Sequence, residues 1–348
     1  MNKSVAKRMF WMCFTLGLSI LTIWTLLKQS QSMSIARLLE LIIKADKKWM
    51  LAAIISSFMY VVFEAVAICS ILKGISYKRP LSKGLIYSTS DVYFSAITPS
   101  ATGGQPASAY FMIRDGLPAG VTSATLILNL VMYNASIVLL GIVAIILAPK
   151  TFLSFKLTSK ILIILGFVGL SLLAIFFMFT LHGGDKVFSL IQNFLKFLHA
   201  KKLIRKLDSK LLKLEKIEKD YKNCSTLIAG KSRIMIKALL WNCLQRASQI
   251  IVPALVYISM GGFRGNIIEL FSKQCLITIG YNYVPIPGAL GIADYLMIDG
   301  FSSIMTKNAA FELDMISRGL TFYICVTLSG LITLIGYLKG KRGNDRSL

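Results

Sequence analysis

Six stretches of the chain are apolar over twenty or more positions, or close to it: 9–27, 49–72, 121–147, 160–181, 232–260 and 314–337. As helices rising about 1.5 Å per residue, they are of a length to cross a hydrocarbon core about 30 Å thick. Two further apolar stretches, 82–116 and 266–305, are interrupted, the first at PSATGGQP and the second at PIPGALG. Each half is about 15 residues or fewer, too short to cross alone. Two half-length helices joined by such a bend predict a re-entrant hairpin. Irregular backbone of this kind is tolerated at membrane depth only where protein or a watery cavity satisfies it. The pattern predicts an all-α polytopic membrane protein, a single integral membrane domain over 1–348, with about six spanning helices and two re-entrant hairpins. The alternation of a membrane β-barrel is absent.

Charge orients this arrangement. The net charge is +23, and the cations gather between spans, where leaflet orientation and anionic headgroups account for them. With Lys3, Lys7 and Arg8 inside, the loop carrying Lys73, Lys78, Arg79 and Lys83 also falls inside. So do the basic segment 182–231 and the tail KGKRGNDR. Both termini are expected in the cytoplasm of a cell-membrane protein. The loop 28–48 fits least, because it lies outside and still holds Lys28, Arg37, Lys44, Lys47 and Lys48. Segment 186–222 alternates apolar and basic residues, which predicts an amphipathic helix gathering anionic inner-leaflet lipid or a solvated helix pair. The apolar N-terminus resembles a signal peptide, but its core is long and no small-x-small site follows, so a retained span is expected.

The remaining composition excludes several chemistries. No nucleic-acid module is present, and the aromatic residues lie in the spans rather than among the basic runs. The six cysteines form no CxxC pair, and His182 and His199 cannot complete a zinc cluster. There is no P-loop, GxGxxG or defensible Ser-His-Asp set. No catalytic site, metal or cofactor is expected.

An internal repeat emerges instead. Residues 49–147 hold span, hairpin, span; residues 232–337 hold the same order in opposite orientation. AYFMIRDG at 109–116 echoes DYLMIDG at 294–300, each shortly after its bend. Inverted repeats with broken helices are the architecture of alternating-access transporters. A half-helix starting inside the membrane presents free N–H groups and a positive dipole end, a site for an anion such as phosphate. Gly103, Gly104, Gln105 and Pro106 stand at the first such start; Pro287, Gly288 and Gly291 stand at the second. Ionisable residues within apolar segments must face a cavity or a partner. Glu64, Asp91, Asp294, Arg246 and Arg318 are of this kind. Asn242, Gln245, Arg246 and Gln249 follow helical spacing and make one polar stripe, suited to cavity lining or to interhelical hydrogen bonds. Arg114 and Asp115 read as an interfacial ion pair.

At these residues the sequence resembles a known family. TPSATGGQPASAY at 98–110 and PIPGALGIAD at 285–294 are similar to the transmembrane region of lysylphosphatidylglycerol synthases and their stand-alone relatives. The resemblance covers nearly the whole chain. It implies a flippase-like translocase that moves phospholipid, such as aminoacylated phosphatidylglycerol, between leaflets. It also implies cationic-peptide resistance through reduced negative surface charge. Phosphate would rest on the half-helix starts and on Arg246; Asp91, Glu64 or Asp294 would meet an amine. Two departures stand out. The tail after 337 is too short for the aminoacyltransferase domain of those synthases, so lysine transfer would need a separate transferase as partner. Asp294 stands where the family pattern leads one to expect Glu, which shortens its reach, and Ala289 replaces a glycine. Two alternatives remain: phosphatidylglycerol lysyltransferase activity together with such a partner, or an ion-coupled small-solute transporter. Self-association is left open.

Overall fold

A computed structural model describes residues 35–98, 101–200, 207–228, 230–282 and 291–344. The first expected span, 9–27, lies outside them. Among the described residues the chain is helical throughout, without strands. A short amphipathic helix, α1 (Ile35–Lys44), leads into α2 (Lys47–Gly74). Asp46 caps α2 by accepting the Lys48 N–H at 2.8 Å, satisfying one of the amides that every helix start leaves unpaired. Then follow α3 (Leu81–Ile97), α4 (Gly104–Arg114) and α5 (Ala119–Leu147). The second half of the chain holds α6 (Leu157–Ala200), α7 (Leu207–Ile228), α8 (Ser232–Ile250) and α9 (Val252–Ser259). It ends with α10 (Ile267–Asn282), α11 (Ile292–Phe301), α12 (Lys307–Arg318), a π-helical turn over Gly319–Ile324, and α13 (Cys325–Asn344).

Four helical stretches among the described residues are long and apolar enough to cross a membrane: Lys47–Gly74, Ala119–Leu147, Leu157–Phe176 and Lys307–Leu338. The expected span 232–260 is divided into α8 and α9. Pro253 lacks an N–H and disfavours a straight helix, and Ile251 joins the pieces in a still-helical conformation. Helix α6 runs without interruption into the basic segment. There Phe188 and Leu214 are buried with the cluster that includes Leu128, Val131 and Ala238. The α6–α7 pair is therefore packed against the bundle rather than standing apart from it.

Both interrupted stretches form helical hairpins. In the first, Lys83 and Tyr87 near the start of α3 reach Asp115 just after α4, at 2.6 and 2.7 Å. Asp115 thus pairs across the hairpin mouth rather than with Arg114. The Arg114 guanidinium instead donates to the carbonyls of Gly336 and Tyr337 on α13. At the closed end, Gly103 N–H donates to Thr98 Oγ1 at 2.9 Å. The second hairpin, α10–α11, has Lys273 across from Gly300, and Gly280 across from Leu296. Its bend, 283–290, lies outside the described residues.

Each hairpin packs on the last helix of the other half. Helix α3 lies on α13, where Gly330 and Gly336 accommodate Tyr93 and Ile86. Helix α10 lies on α5, where Gly141 accommodates Ile279. Small residues at these crossings let helices approach where lipid supplies no hydrophobic driving force. The broadest helix–helix contact joins α2 to α8.

Lys273 is fully buried and locks the second hairpin. Its ammonium donates to Ser154 Oγ at 2.9 Å, the Gly300 carbonyl at 2.8 Å and Ser303 Oγ, with Glu269 at 3.4 Å. Lys273→Met removes every one of these donors and strands the acceptors. We expect it to destabilise the protein by about 2–4 kcal/mol, measured as detergent-phase thermal unfolding.

Candidate functional site

A cavity of about 300 Å³ opens between α2, α3, α4, α5, α8 and the π-helical turn. Helical spacing delivers its polar wall. Tyr60 and Glu64 are one turn apart on α2, Asp91 and Ser95 on α3, and Asn129 and Tyr133 on α5. Gln105 enters from the first turn of α4 and Gln249 from α8. Thr321, Phe322 and Val326 complete the lining from the irregular turn and the start of α13. Turns of π-type recur at functional sites because they re-aim side chains.

The carboxyl groups of Glu64 and Asp91 sit within hydrogen-bonding reach of one another. Ser88 Oγ and Gln245 Nε2 donate to Glu64 at 3.1 and 3.2 Å. Ser95 Oγ and Gln105 Nε2 donate to Asp91 at 3.1 and 3.0 Å. Gly104 is what lets α4 come this close: a Cβ there would stand 1.9 Å from Asp91 Oδ1 and 2.0 Å from Ser95 Oγ. Gly103 is similarly tight against Thr98. Pro106 is exposed.

Arg246 lies behind this wall and is 97% buried by accessible area, at 3% exposure. Its guanidinium stacks 3.8 Å from the Tyr133 ring centroid and 5.3 Å from that of Tyr60. Nη1 donates to Gln249 Oε1 at 2.7 Å, while Nε finds no acceptor. Among the described residues no carboxylate lies within ion-pair distance of it. A buried cation held by ring faces and an amide keeps its capacity for an anion. The rest of the polar stripe acts between helices: Asn242 Nδ2 donates to Asn129 Oδ1 at 3.0 Å, and Gln245 serves Glu64.

Asp294 and Gly291 do not line this cavity. Asp294 Oδ2 accepts the Gly291 N–H at 2.8 Å, capping α11 at a glycine whose φ of 81° suits that residue. Asp294 Oδ1 meets Arg318 Nε at 2.5 Å, and Asp314 Oδ1 lies 3.4 Å from the same nitrogen. Among the described residues, Asp294 is engaged by its own helix start and by α12. Pro287 and Gly288 lie outside the described residues.

The sequence reading overlooked Tyr60 and Tyr133. Their signal was available: each is a tyrosine inside an apolar span, one turn from Glu64 or Asn129. Half-buried phenols and polar neighbours on one helical face point to a shared cavity. Among the described residues no group of three or more His, Cys, Asp or Glu side chains gathers to hold a metal ion.

Residues 12–329 match the family described as the lysylphosphatidylglycerol synthase TM region. No curated protein matches the chain significantly. The family match spans well over half of the sequence, so the chain belongs to this family and is a multi-pass membrane protein.

Proposed function

On the premise of that membership, we propose that the protein moves lysylphosphatidylglycerol between membrane leaflets, taking its headgroup into the cavity below Arg246. The observation that carries the reading is Arg246, a buried guanidinium with no carboxylate within ion-pair distance among the described residues, stacked on Tyr60 and Tyr133 of the cavity that Glu64 and Asp91 also line. Lysylphosphatidylglycerol offers the complement: one phosphate for the guanidinium, and the two amino groups of its lysyl ester for Glu64 and Asp91. Gln249 and Gln105 orient the two ends. A cavity of about 300 Å³ suits a headgroup and leaves the acyl chains in the bilayer.

In this reading the two hairpins re-enter the membrane, and the exchanged packing of α3 on α13 and α10 on α5 reflects an inverted repeat. Both termini then lie in the cytoplasm, as the basic loops ask.

The test is lipid exposure across reconstituted liposomes. Fluorescent lysylphosphatidylglycerol should cross with wild-type protein and not with protein-free vesicles. Glu64→Gln together with Asp91→Asn removes the two amine acceptors. Transfer of the lysyl lipid is expected to fall about tenfold or more, with transfer of plain phosphatidylglycerol little changed. Failure of the wild-type protein to transfer the lysyl lipid would refute the proposal.

A further inference from the structure

A second, larger concavity of about 1000 Å³ lies on the outer flank of the bundle, between α2 and α8. Its walls are two helical stripes running side by side. From mid-helix, Val66 on α2 and Leu240, Trp241 and Leu244 on α8 make an apolar arm. Leu240 and Leu244 are exposed, so this arm opens to the bilayer. Between Lys237 and Leu244 it extends about 10 Å along the helix axis. Toward the ends of the same helices, and in the connection that follows α2, the lining changes to Lys73, Lys78, Arg79, Arg233 and Lys237. Gly74 brings the two helix ends together there: a Cβ on it would fall 2.5 Å from Ile234 Cδ1. That close crossing sets Lys73 of α2 beside the cations of α8.

The charge is not neutralised locally. Five of the fifteen lining residues are cationic and none is acidic. Arg79 donates to the backbone carbonyls of Lys78 and Asp115 and lies beside the Tyr87 hydroxyl. Among the described residues none of the five forms an ion pair with a carboxylate.

We infer that this groove is a binding site for an acidic phospholipid, separate from the headgroup cavity. The acyl chain lies along the apolar arm, and the phosphate sits in the cationic collar. The site selects against the lipid proposed for transport. A lysyl headgroup carries one phosphate and two ammonium groups, a net positive charge that the collar repels, whereas phosphatidylglycerol is an anion. The groove therefore favours the unmodified lipid, whereas the carboxyl groups of the cavity suit the modified one. The N-terminal apolar segment 9–27 is a poor occupant, because Lys3, Lys7 and Arg8 would bring like charge to the collar. The inference rests on the membrane reading and not on which lipid is transported.

Native mass spectrometry of the purified full chain tests it, with equimolar dioleoylphosphatidylglycerol and dioleoylphosphatidylcholine as probes. Wild-type protein is expected to retain the phosphatidylglycerol over the phosphatidylcholine by about tenfold or more, because each surface cation strengthens binding of acidic lipid several-fold. The triple variant Lys73→Gln, Arg233→Gln, Lys237→Gln, altered at exposed positions, should retain the two lipids equally. Leu244→Trp fills the apolar arm with the charges intact and should lower phosphatidylglycerol retention. Arg246→Gln should keep the preference, which separates the groove from the cavity and from the fate of the transport reading. Equal retention by wild type, or a preference that survives both groove variants, overturns the inference. So does a peptide, or residues 9–27, found cross-linked in the groove.

Discussion

Arg246→Gln is expected to lower the proposed transfer of both lysylphosphatidylglycerol and phosphatidylglycerol by about a hundredfold or more, while the protein stays folded. The loss follows from the phosphate that both lipids share: a guanidinium makes paired, charge-assisted bonds to phosphate, each contributing about 1.5–3 kcal/mol. Folding is spared because the opposing terms are small. The variant forfeits stacking on Tyr60 and Tyr133, about 0.5–2 kcal/mol per ring, and is relieved of a buried charge that no carboxylate offsets. Arg246→Lys is the sharper comparison. It keeps the charge but not the flat, forked group that lies on Tyr133 and reaches Gln249 at the same time. Transfer should fall about tenfold or more in that variant too. Liposome transfer beside thermal unfolding in detergent reads both effects. Unchanged transfer in Arg246→Gln would remove the guanidinium from the mechanism.

Arg318→Gln has the opposite signature, with stability lost first. Arg318 is 7% exposed and stands between Asp294 and Asp314, themselves 3% and 0% exposed. Without the cation, two carboxylates are left buried with no counter-charge. Breaking a buried ion pair from one side costs about 3–5 kcal/mol, which lowers the unfolding midpoint of a chain this long by about 4–7 °C. Adding Asp294→Asn and Asp314→Asn to Arg318→Gln removes the stranded charges and should recover much of the loss. Differential scanning measurements on the single and triple variants decide it. A single variant as stable as wild type would show that the cluster is not a structural joint.

How much of this was readable beforehand depends on what each segment's own residues decide. The helices over Lys47–Gly74 and Ala119–Leu147 were legible because long apolar runs leave the backbone no alternative to internal hydrogen bonding in lipid. The polar stripe on α8 was legible as a face, since helical spacing fixes which residues neighbour one another. Its division of labour was not: Asn242 meets Asn129 while Arg246 meets two tyrosines, and that depends on how α8 is rotated against α2 and α5. The continuation of α6 past 182 was hidden because a change in polarity marks a change of solvent, not an end of helix. The partners of Asp294 were hidden for a similar reason. An acid next to a Pro/Gly bend reads equally well as a ligand group or as a cap, and its choice of Arg318 is settled by tertiary packing. The groove between α2 and α8 was overlooked because its cations read simply as loop charges, although Lys73, Arg233 and Lys237 sit on helices in line with apolar neighbours.

The exchanged packing also carries a cost in time. Hairpin one is finished early in synthesis, yet the surface of α3 that bears Thr89, Ile86 and Tyr93 is covered by α13. That helix begins about 230 residues later, and a ribosome adding about 5–20 residues per second needs about 10–50 s to reach it. For that interval Tyr93 has no Gly330 to lie against, and Thr89 has no Thr333. The nascent chain must park a half-length, partly polar helical pair in or beside the bilayer until its last helix arrives. The hairpin is among the first helical pairs to be made and among the last to be seated, so truncations near the C-terminus should undo the beginning of the fold before they disturb its middle.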